Sequence, residues 1–150
     1  SRDNINSIAH AHPMYGKTFS TLGKTLDPIS QDSCAFYERT ALFADYDGVA
    51  NGPDEGINIA KALGEKDFVI LQNHGILTTG TMVDTAIWYF LNMEDACKSQ
   101  LLAEAVGKPI IIPHETACAT RDYVANDLSA YVSFQPTVDV LWEEEPDLLD

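Results

Sequence analysis

Two short histidine motifs are the residues of this sequence best suited to chemistry. The first is His-Ala-His at residues 10–12, and the second is Gln-Asn-His-Gly at residues 72–75, which contains His74. In an extended strand the side chains of residues i and i+2 point to the same face, so His10 and His12 can direct two imidazoles at one point. Three neutral imidazoles suit zinc or another borderline divalent ion and leave a coordination position open. An open position indicates a catalytic rather than a structural metal.

A simpler interpretation of the first motif stays open at this point. A histidine in a strand is more often packed or hydrogen-bonded than bound to a metal, and the pattern His-x-His is short. The pair therefore needs a third ligand from elsewhere in the chain. His74 is the candidate for that ligand.

The elements around the motifs are predicted from apolar spacing. Residues 5–10 alternate like a half-buried strand, and the apolar run at residues 68–71 is typical of a buried strand that ends at His74. Gly75 lets the backbone turn or approach another segment closely, and residues 76–79 continue extended. We then expect Thr81 to cap the longest helix, of about 25 residues. Its predicted inward face consists of Val83, Ala86, Ile87, Phe90, Cys97, Leu101 and Ala105.

The remaining elements are predicted from less regular patterns of apolar, capping and turn residues. Short helices are expected over residues 16–22 and 55–63, the latter capped by Asp54, and a mixed helical pattern covers residues 31–44. Residues 45–53 are predicted to turn around a short strand at 49–50. A further helix runs from His114 towards Leu128, and His114 is interpreted as a surface residue without a partner at the metal. Trp142 is expected to anchor an acidic tail.

Composition limits the class of protein. A chain of 150 residues with 45% hydrophobic residues is sufficient for one domain with a substantial core. Its formal net charge of −14 argues against binding nucleic acid or an anionic membrane surface. No apolar run approaches the roughly 20 residues that span a bilayer. Three widely spaced cysteines suggest neither a disulfide framework nor a cysteine zinc site, which favours a cytoplasmic protein.

The two histidine motifs and their surroundings resemble the class II aldolase/adducin family. The resemblance lies in His-Ala-His-Pro-Met-Tyr-Gly at residues 10–16 and in Leu-Gln-Asn-His-Gly-Ile-Leu-Thr-Thr-Gly at residues 71–80. Residues 27–33 and 45–48 are more similar to the adducin-like branch. The resemblance implies that His10, His12 and His74 bind Zn²⁺. Together with the alternation of strands and helices, it implies an α/β fold, a three-layer α/β/α domain with a mixed, largely antiparallel central sheet.

The resemblance also implies a reaction. A divalent ion on these histidines would polarise the carbonyl of a small hydroxy-carbonyl or sugar-phosphate substrate and stabilise the enediolate left by C–C cleavage, as in a retro-aldol lyase. Family members take one proton-transfer group from an upstream acidic residue and another from a tyrosine near the C-terminus of a neighbouring subunit. Tyr131 lies in the right part of the chain for the second role. A homo-oligomer such as a tetramer is therefore expected.

The resemblance further implies that residues 1–150 form this domain without its N-terminal half. The family's phosphate-binding loops and upstream acidic residue then have no counterpart here, so we expect the chain alone to bind metal but to turn over slowly.

Two other functions stay open from the sequence. The same histidines could hold Fe²⁺ or Mn²⁺ in place of Zn²⁺, and an iron form could run an oxygen-dependent decarboxylation, as some relatives of the family do. An adducin-like binding module without turnover is the third possibility.

Overall fold

The structure, a computed structural model, describes residues 2–45 and 53–149. The strand predicted at residues 49–50 and the side chain of Asp54 lie outside the described residues. Within the described part, four strands and five α-helices follow one another along the chain. They are β1 (Ser7–Ala11), α1 (Met14–Ser20), β2 (Thr40–Phe43), α2 (Pro53–Leu63), β3 (Phe68–Leu71), β4 (Gly75–Gly80), α3 (Val83–Val106), α4 (His114–Val124) and α5 (Asp127–Glu144), with short 3-10 helices at Asp32–Phe36 and Pro146–Leu149.

The strands form one mixed sheet in the order β1-β4-β3-β2. β1 pairs antiparallel with β4, and β4 pairs antiparallel with β3. β2 is parallel to β3, and a parallel neighbour requires a crossover connection, which α2 supplies. The predicted sheet, mixed and largely antiparallel, is therefore confirmed.

Helices cover both faces of the sheet. The side chains of β3 alternate between two hydrophobic clusters, since Phe68 and Ile70 pack with Tyr89 and Met93 of α3 whereas Val69 and Leu71 pack with Leu63 of α2. All four residues of β3 are buried. A strand covered on both faces has an uninterrupted apolar sequence, which explains the run at residues 68–71.

The predicted inward face of α3 is partly wrong. Val83 is 63% exposed, while Tyr89, Met93 and Gln100 are buried. Gln100 is accommodated in the core because its amide is fully used: Oε1 accepts from the backbone N–H of Asp27 at 2.9 Å, and Nε2 donates to the Asp27 carboxylate at 2.6 Å. A buried amide with these partners cannot be recognised from apolar spacing.

Several predicted element boundaries also need correction. Residues 31–44 contain β2 as well as a 3-10 helix, and the strand was missed. Met82, not Thr81, occupies the N-cap position of α3, and the Thr81 hydroxyl instead donates to Asp127 at 2.8 Å. Trp142 is 46% exposed near the end of α5, so it is not a buried anchor. In the part of the chain that the structure describes, no helix is long and apolar enough to cross a membrane.

Candidate metal centre

The first two histidines lie at the end of the edge strand β1. His10 is within the strand, opposite Leu77 of β4, and His12 comes directly after the last residue of the strand. Both side chains are exposed. The Nδ1 of His10 lies 2.9 Å from the carbonyl oxygen of Ile76. Because a carbonyl can only accept, Nδ1 carries the proton and Nε2 keeps its lone pair for a metal.

His74 reaches the same edge from the turn between β3 and β4. Its backbone N–H donates to the carbonyl of Leu71 at 3.0 Å, which closes the turn. The left-handed residue of the turn is Asn73, with φ +58°, a conformation that asparagine tolerates better than most residues.

Gly75 has the second role predicted for it, the close approach. A Cβ on Gly75 would lie 2.6 Å from the carbonyl oxygen of Ala11 and 3.1 Å from Cδ2 of His12. The lack of a side chain at Gly75 therefore allows β4 to begin directly beside the end of β1. This contact brings the His74 turn next to the His-x-His pair.

The three imidazoles converge on one point. Their ring centroids are 5.2 Å apart for His10 and His12, 5.1 Å for His10 and His74, and 4.5 Å for His12 and His74. One ring nitrogen of each lies within 4.8 Å of those of the other two. Two nitrogens on one tetrahedral zinc ion are about 3.3 Å apart, so small ring rotations would bring all three to a single ion.

The electrostatics of His74 favour the neutral form that a metal requires. Burial is the largest cause that lowers the pKa of His74, and the proximity of His10 and His12 lowers it further, while Glu55 raises it. A lowered pKa means that fewer protons compete with a metal ion at neutral pH.

Helix α1, which follows His12 after one proline, is attached to the site by two contacts. The carboxylate of Glu94 on α3 accepts the backbone N–H groups of Tyr15 at 2.8 Å and Gly16 at 2.5 Å. A Cβ on Gly16 would lie 3.0 Å from the side chain of Ile76, the residue whose carbonyl orients His10. The start of α1 is therefore hydrogen-bonded to α3 and lies against Ile76 of β4, which also orients the first ligand.

Tyr131 lies on a different element. It is in α5, is 43% exposed, and belongs to a helix that packs on α3. The ring contacts that gather the three histidines do not include it. Its catalytic role stays a prediction that requires a second copy of the chain.

His114 begins α4, as predicted, and its side chain is 62% exposed. It does not join the three histidines. Its hydrogen-bond partner is Tyr37, and it belongs to a second group of potential ligands with Glu38 and Cys118. This group was not predicted from the sequence. The spacing of His114 and Cys118 by four residues on one helix was the available signal.

Comparison with known proteins gives a consistent result. A family model described as the Class II Aldolase and Adducin N-terminal domain matches residues 1–101. Over 99% of the chain, the sequence is 36% identical to "Decarboxylase NovR" of Streptomyces niveus, covering 55% of that protein. It is equally similar, 36% over 99% of the chain, to "4-hydroxy-3-prenylphenylpyruvate oxygenase/4-hydroxy-3-prenylbenzoate synthase" of Streptomyces roseochromogenus subsp. oscitans, covering 53% of it.

Among solved structures, the fold is similar to L-fuculose 1-phosphate aldolase from Glaciozyma antarctica, with a TM-score of 0.86 and 39% identity. That similarity covers 97% of this chain and 55% of the aldolase. The chain thus spans about half the length of the curated relatives that it matches.

Proposed function

The chain belongs to the class II aldolase and adducin N-terminal domain family, and we propose that it forms the metal-binding part of a lyase that cleaves a C–C bond. The proposed substrate is a small hydroxy-carbonyl compound or sugar phosphate. Both the metal dependence and the substrate class go beyond family membership. The metal dependence is supported by the arrangement of three histidines at one end of the sheet, and the substrate class by the similarity to L-fuculose 1-phosphate aldolase.

One observation carries the proposal. His10, His12 and His74 come from two separate segments, yet one nitrogen of each lies within 4.8 Å of the others. The hydrogen bond from His10 Nδ1 to the Ile76 carbonyl leaves Nε2 available, and burial lowers the pKa of His74, which favours the neutral ring. This all-nitrogen donor set fits Zn²⁺ and also Fe²⁺ or Mn²⁺, and it leaves at least one position for substrate.

The chain's own residues then have defined roles. A divalent ion held there supplies Lewis-acid polarisation of the substrate carbonyl and stabilises negative charge as the C–C bond breaks. The Ile76 carbonyl holds the His10 ring, and Gly75 allows His12 and His74 to approach each other. We assign a proton transfer to the hydroxyl of Tyr131 from a neighbouring copy of the chain.

A second reaction is favoured by two named relatives. The two Streptomyces proteins, each 36% identical over 99% of the chain, are named as a decarboxylase and as an oxygenase. On that basis the alternative function is an oxygen-dependent oxidative decarboxylation with Fe²⁺ on the same three histidines. Both reactions cleave a C–C bond next to an oxygen-bearing carbon, and they differ in the metal and in the need for oxygen.

A paired assay separates the two reactions. The protein is loaded with Zn²⁺, Mn²⁺ or Fe²⁺ and supplied with a sugar phosphate or a 2-oxo acid, with and without oxygen. Cleavage of the sugar phosphate under nitrogen supports the lyase, whereas oxygen uptake and carbon dioxide release with Fe²⁺ support the alternative. Because the family's acidic residue precedes the His-x-His strand, the assay compares the chain alone with a longer protein that carries this segment, which we expect to be at least about 100-fold faster.

Two variants serve as controls for this assay. His74→Ala should remove activity with every metal, because one of three ligands is lost. Tyr131→Phe should lower kcat by about 100-fold while the bound metal is retained. If the longer protein is inactive with every metal at full occupancy, the proposed lyase is wrong and an adducin-like binding role is favoured.

A further inference from the structure

A second group of potential metal ligands, apart from the three histidines, lies where helix α4 meets the segment before β2. It consists of Glu38, His114 and Cys118, each of which offers one ligand atom within 4.8 Å of the other two. The group combines a carboxylate, an imidazole and a thiol. A thiolate and an imidazole are the ligands that zinc and similar borderline ions prefer.

Helix geometry brings two of these ligands together. His114 and Cys118 are four residues apart on α4, so their side chains lie on the same face of the helix. Ala117, next to Cys118, is fully buried, which anchors this end of α4. The helix packs against the 3-10 helix Asp32–Phe36, which ends two residues before Glu38. The third ligand is therefore presented by a fixed neighbouring segment.

The backbone at Glu38 has an uncommon conformation, and the residue is in contact with α4. Its φ is +59°, in the left-handed region that non-glycine residues rarely adopt. Arg121, one turn after Cys118, donates to the carbonyl of Tyr37 at 3.4 Å and to Oε2 of Glu38 at 3.5 Å. Lys66 donates to the carbonyl of Glu38. These contacts connect the Glu38 segment to α4 and to the start of β3.

The two ligand distances that involve the Cys118 sulfur are close to those of a tetrahedral zinc site. Cys118 Sγ lies 3.8 Å from Glu38 Oε2 and 3.8 Å from His114 Nε2, and one ligand atom of each of the three residues lies within 4.8 Å of the other two. Ordinary zinc–sulfur and zinc–nitrogen bond lengths place such ligand pairs about 3.6 Å apart. An ion could therefore bind all three with only small side-chain movements.

A neighbouring hydroxyl orients the imidazole. The Tyr37 hydroxyl lies 3.1 Å from His114 Nδ1. When Nδ1–H donates to that hydroxyl, Nε2, which lies 3.8 Å from Cys118 Sγ, keeps its lone pair for a metal. This arrangement parallels that of His10, whose Nδ1 is bonded to the Ile76 carbonyl. Glu38 and His114 are 49% and 62% exposed, so an ion can enter from solvent.

From this geometry we propose that Glu38, His114 and Cys118 bind a thiophilic divalent ion such as Zn²⁺, at a second site that is independent of the histidine triad. Binding converts the Cys118 thiol to a metal thiolate and releases its proton to solvent. The fourth position is open to water. The bound ion connects α4 to the segment before β2 and stabilises their packing.

The other two cysteines do not compete for this role. Cys34 and Cys97 are both fully buried. Burial raises the pKa of Cys34, and it raises the pKa of Cys97 to about 12. Cys118 alone is partly exposed among the three cysteines, all of which the structure describes. A metal thiolate detected in the folded chain can therefore be assigned to Cys118.

The test uses Co²⁺, whose absorption distinguishes the two sites. The protein with His10→Ala, His12→Ala and His74→Ala together is titrated with Co²⁺ alone. We expect about one equivalent to bind with a thiolate-to-cobalt charge-transfer band, because the remaining site contains sulfur. Adding Cys118→Ser should abolish the band, whereas Glu115→Gln, at an exposed acidic residue on the same helix, should leave it unchanged. Zn²⁺ should also raise the Tm of the triple variant.

The unsubstituted protein provides the second measurement if the triple variant does not fold. The triad contains only nitrogen ligands, so a thiolate band in that protein also comes from the second site. Absence of the band in folded protein, or its persistence after Cys118→Ser, would overturn the proposal.

Discussion

Two backbone carbonyls lie beside the imidazoles of the candidate metal centre. The Ile76 carbonyl accepts from His10 Nδ1, and the Ala11 carbonyl lies where a side chain at Gly75 would be. His10 and His12 were predictable as a pair from their i, i+2 spacing, and His74 was predictable as the third candidate because it follows the apolar run at residues 68–71. The left-handed residue of the His74 turn was not predictable, because Asn73, and not the glycine Gly75, has the positive φ. Glu38 was also not predictable as a ligand, because it lies far from His114 and Cys118 in sequence.

Gly75→Ala should disrupt metal binding without removing a ligand. The new methyl group would lie 2.6 Å from a backbone oxygen, so the strand ends must separate and the His74 turn must move away from His12. We expect the Zn²⁺ affinity of the triad to fall at least about 10-fold, a loss typical of substitutions that displace ligands. Isothermal titration in a Cys118→Ser background measures it. The matched control is Gly56→Ala in α2, where a Cβ meets nothing within 4 Å. Equal affinities in the two variants would contradict the role assigned to Gly75.

At the scale of elements, contacts between distant segments set boundaries that local patterns do not show. Helix α1 begins at Met14, two residues before its predicted start, and the Glu94 carboxylate on α3 accepts N–H groups of its first turn. β2 is only four residues long and is defined by its parallel pairing with β3. The long helix and the buried strand at residues 68–71 were predictable, because each has a strong local pattern.

Glu94→Gln should destabilise the fold through the start of α1. An amide offers one oxygen acceptor where the carboxylate offers two, and it loses the favourable charge at a helix N-terminus. We expect the free energy of unfolding to fall by about 1–2 kcal/mol in urea denaturation. Asp95→Asn, at the exposed neighbouring residue on the same helix, should change it by less than about 0.5 kcal/mol. A similar fall in the free energy of unfolding in both variants would show that the loss of a negative charge on α3, rather than the loss of the contact to α1, is responsible.

At the scale of the whole molecule, the layered architecture was predictable and the composition of the core was predictable only in part. The alternation of apolar strands with helices gives the α/β/α arrangement. Gln100, in contrast, is buried through two hydrogen bonds to Asp27, which depend on tertiary structure. Helix α5 presents large apolar side chains to solvent, among them Leu128, Val132 and Val140. We expect a second copy of the chain to cover them in the predicted homo-oligomer.

Val132→Glu should weaken that oligomer. Val132 is 58% exposed on α5, and a charge there would be desolvated in an interface but harmless on a monomer. Light scattering coupled to size exclusion should show a mass that is a multiple of 16.5 kDa for the unsubstituted chain and a lower mass for the variant. Ile57→Glu, at a 51% exposed residue of α2, is the control. A monomer at high concentration before any substitution would contradict both the oligomer and a site shared between copies.

Metal stoichiometry at the histidine triad tests the central claim most directly. In a Cys118→Ser background, which disables the second proposed site, elemental analysis after loading with Zn²⁺ and dialysis should give about one equivalent per chain. Adding His74→Ala should reduce it to near zero, whereas adding His114→Ala, which removes the only histidine outside the triad, should leave it unchanged. Retention of a full equivalent after His10, His12 and His74 are all replaced by alanine would contradict the account.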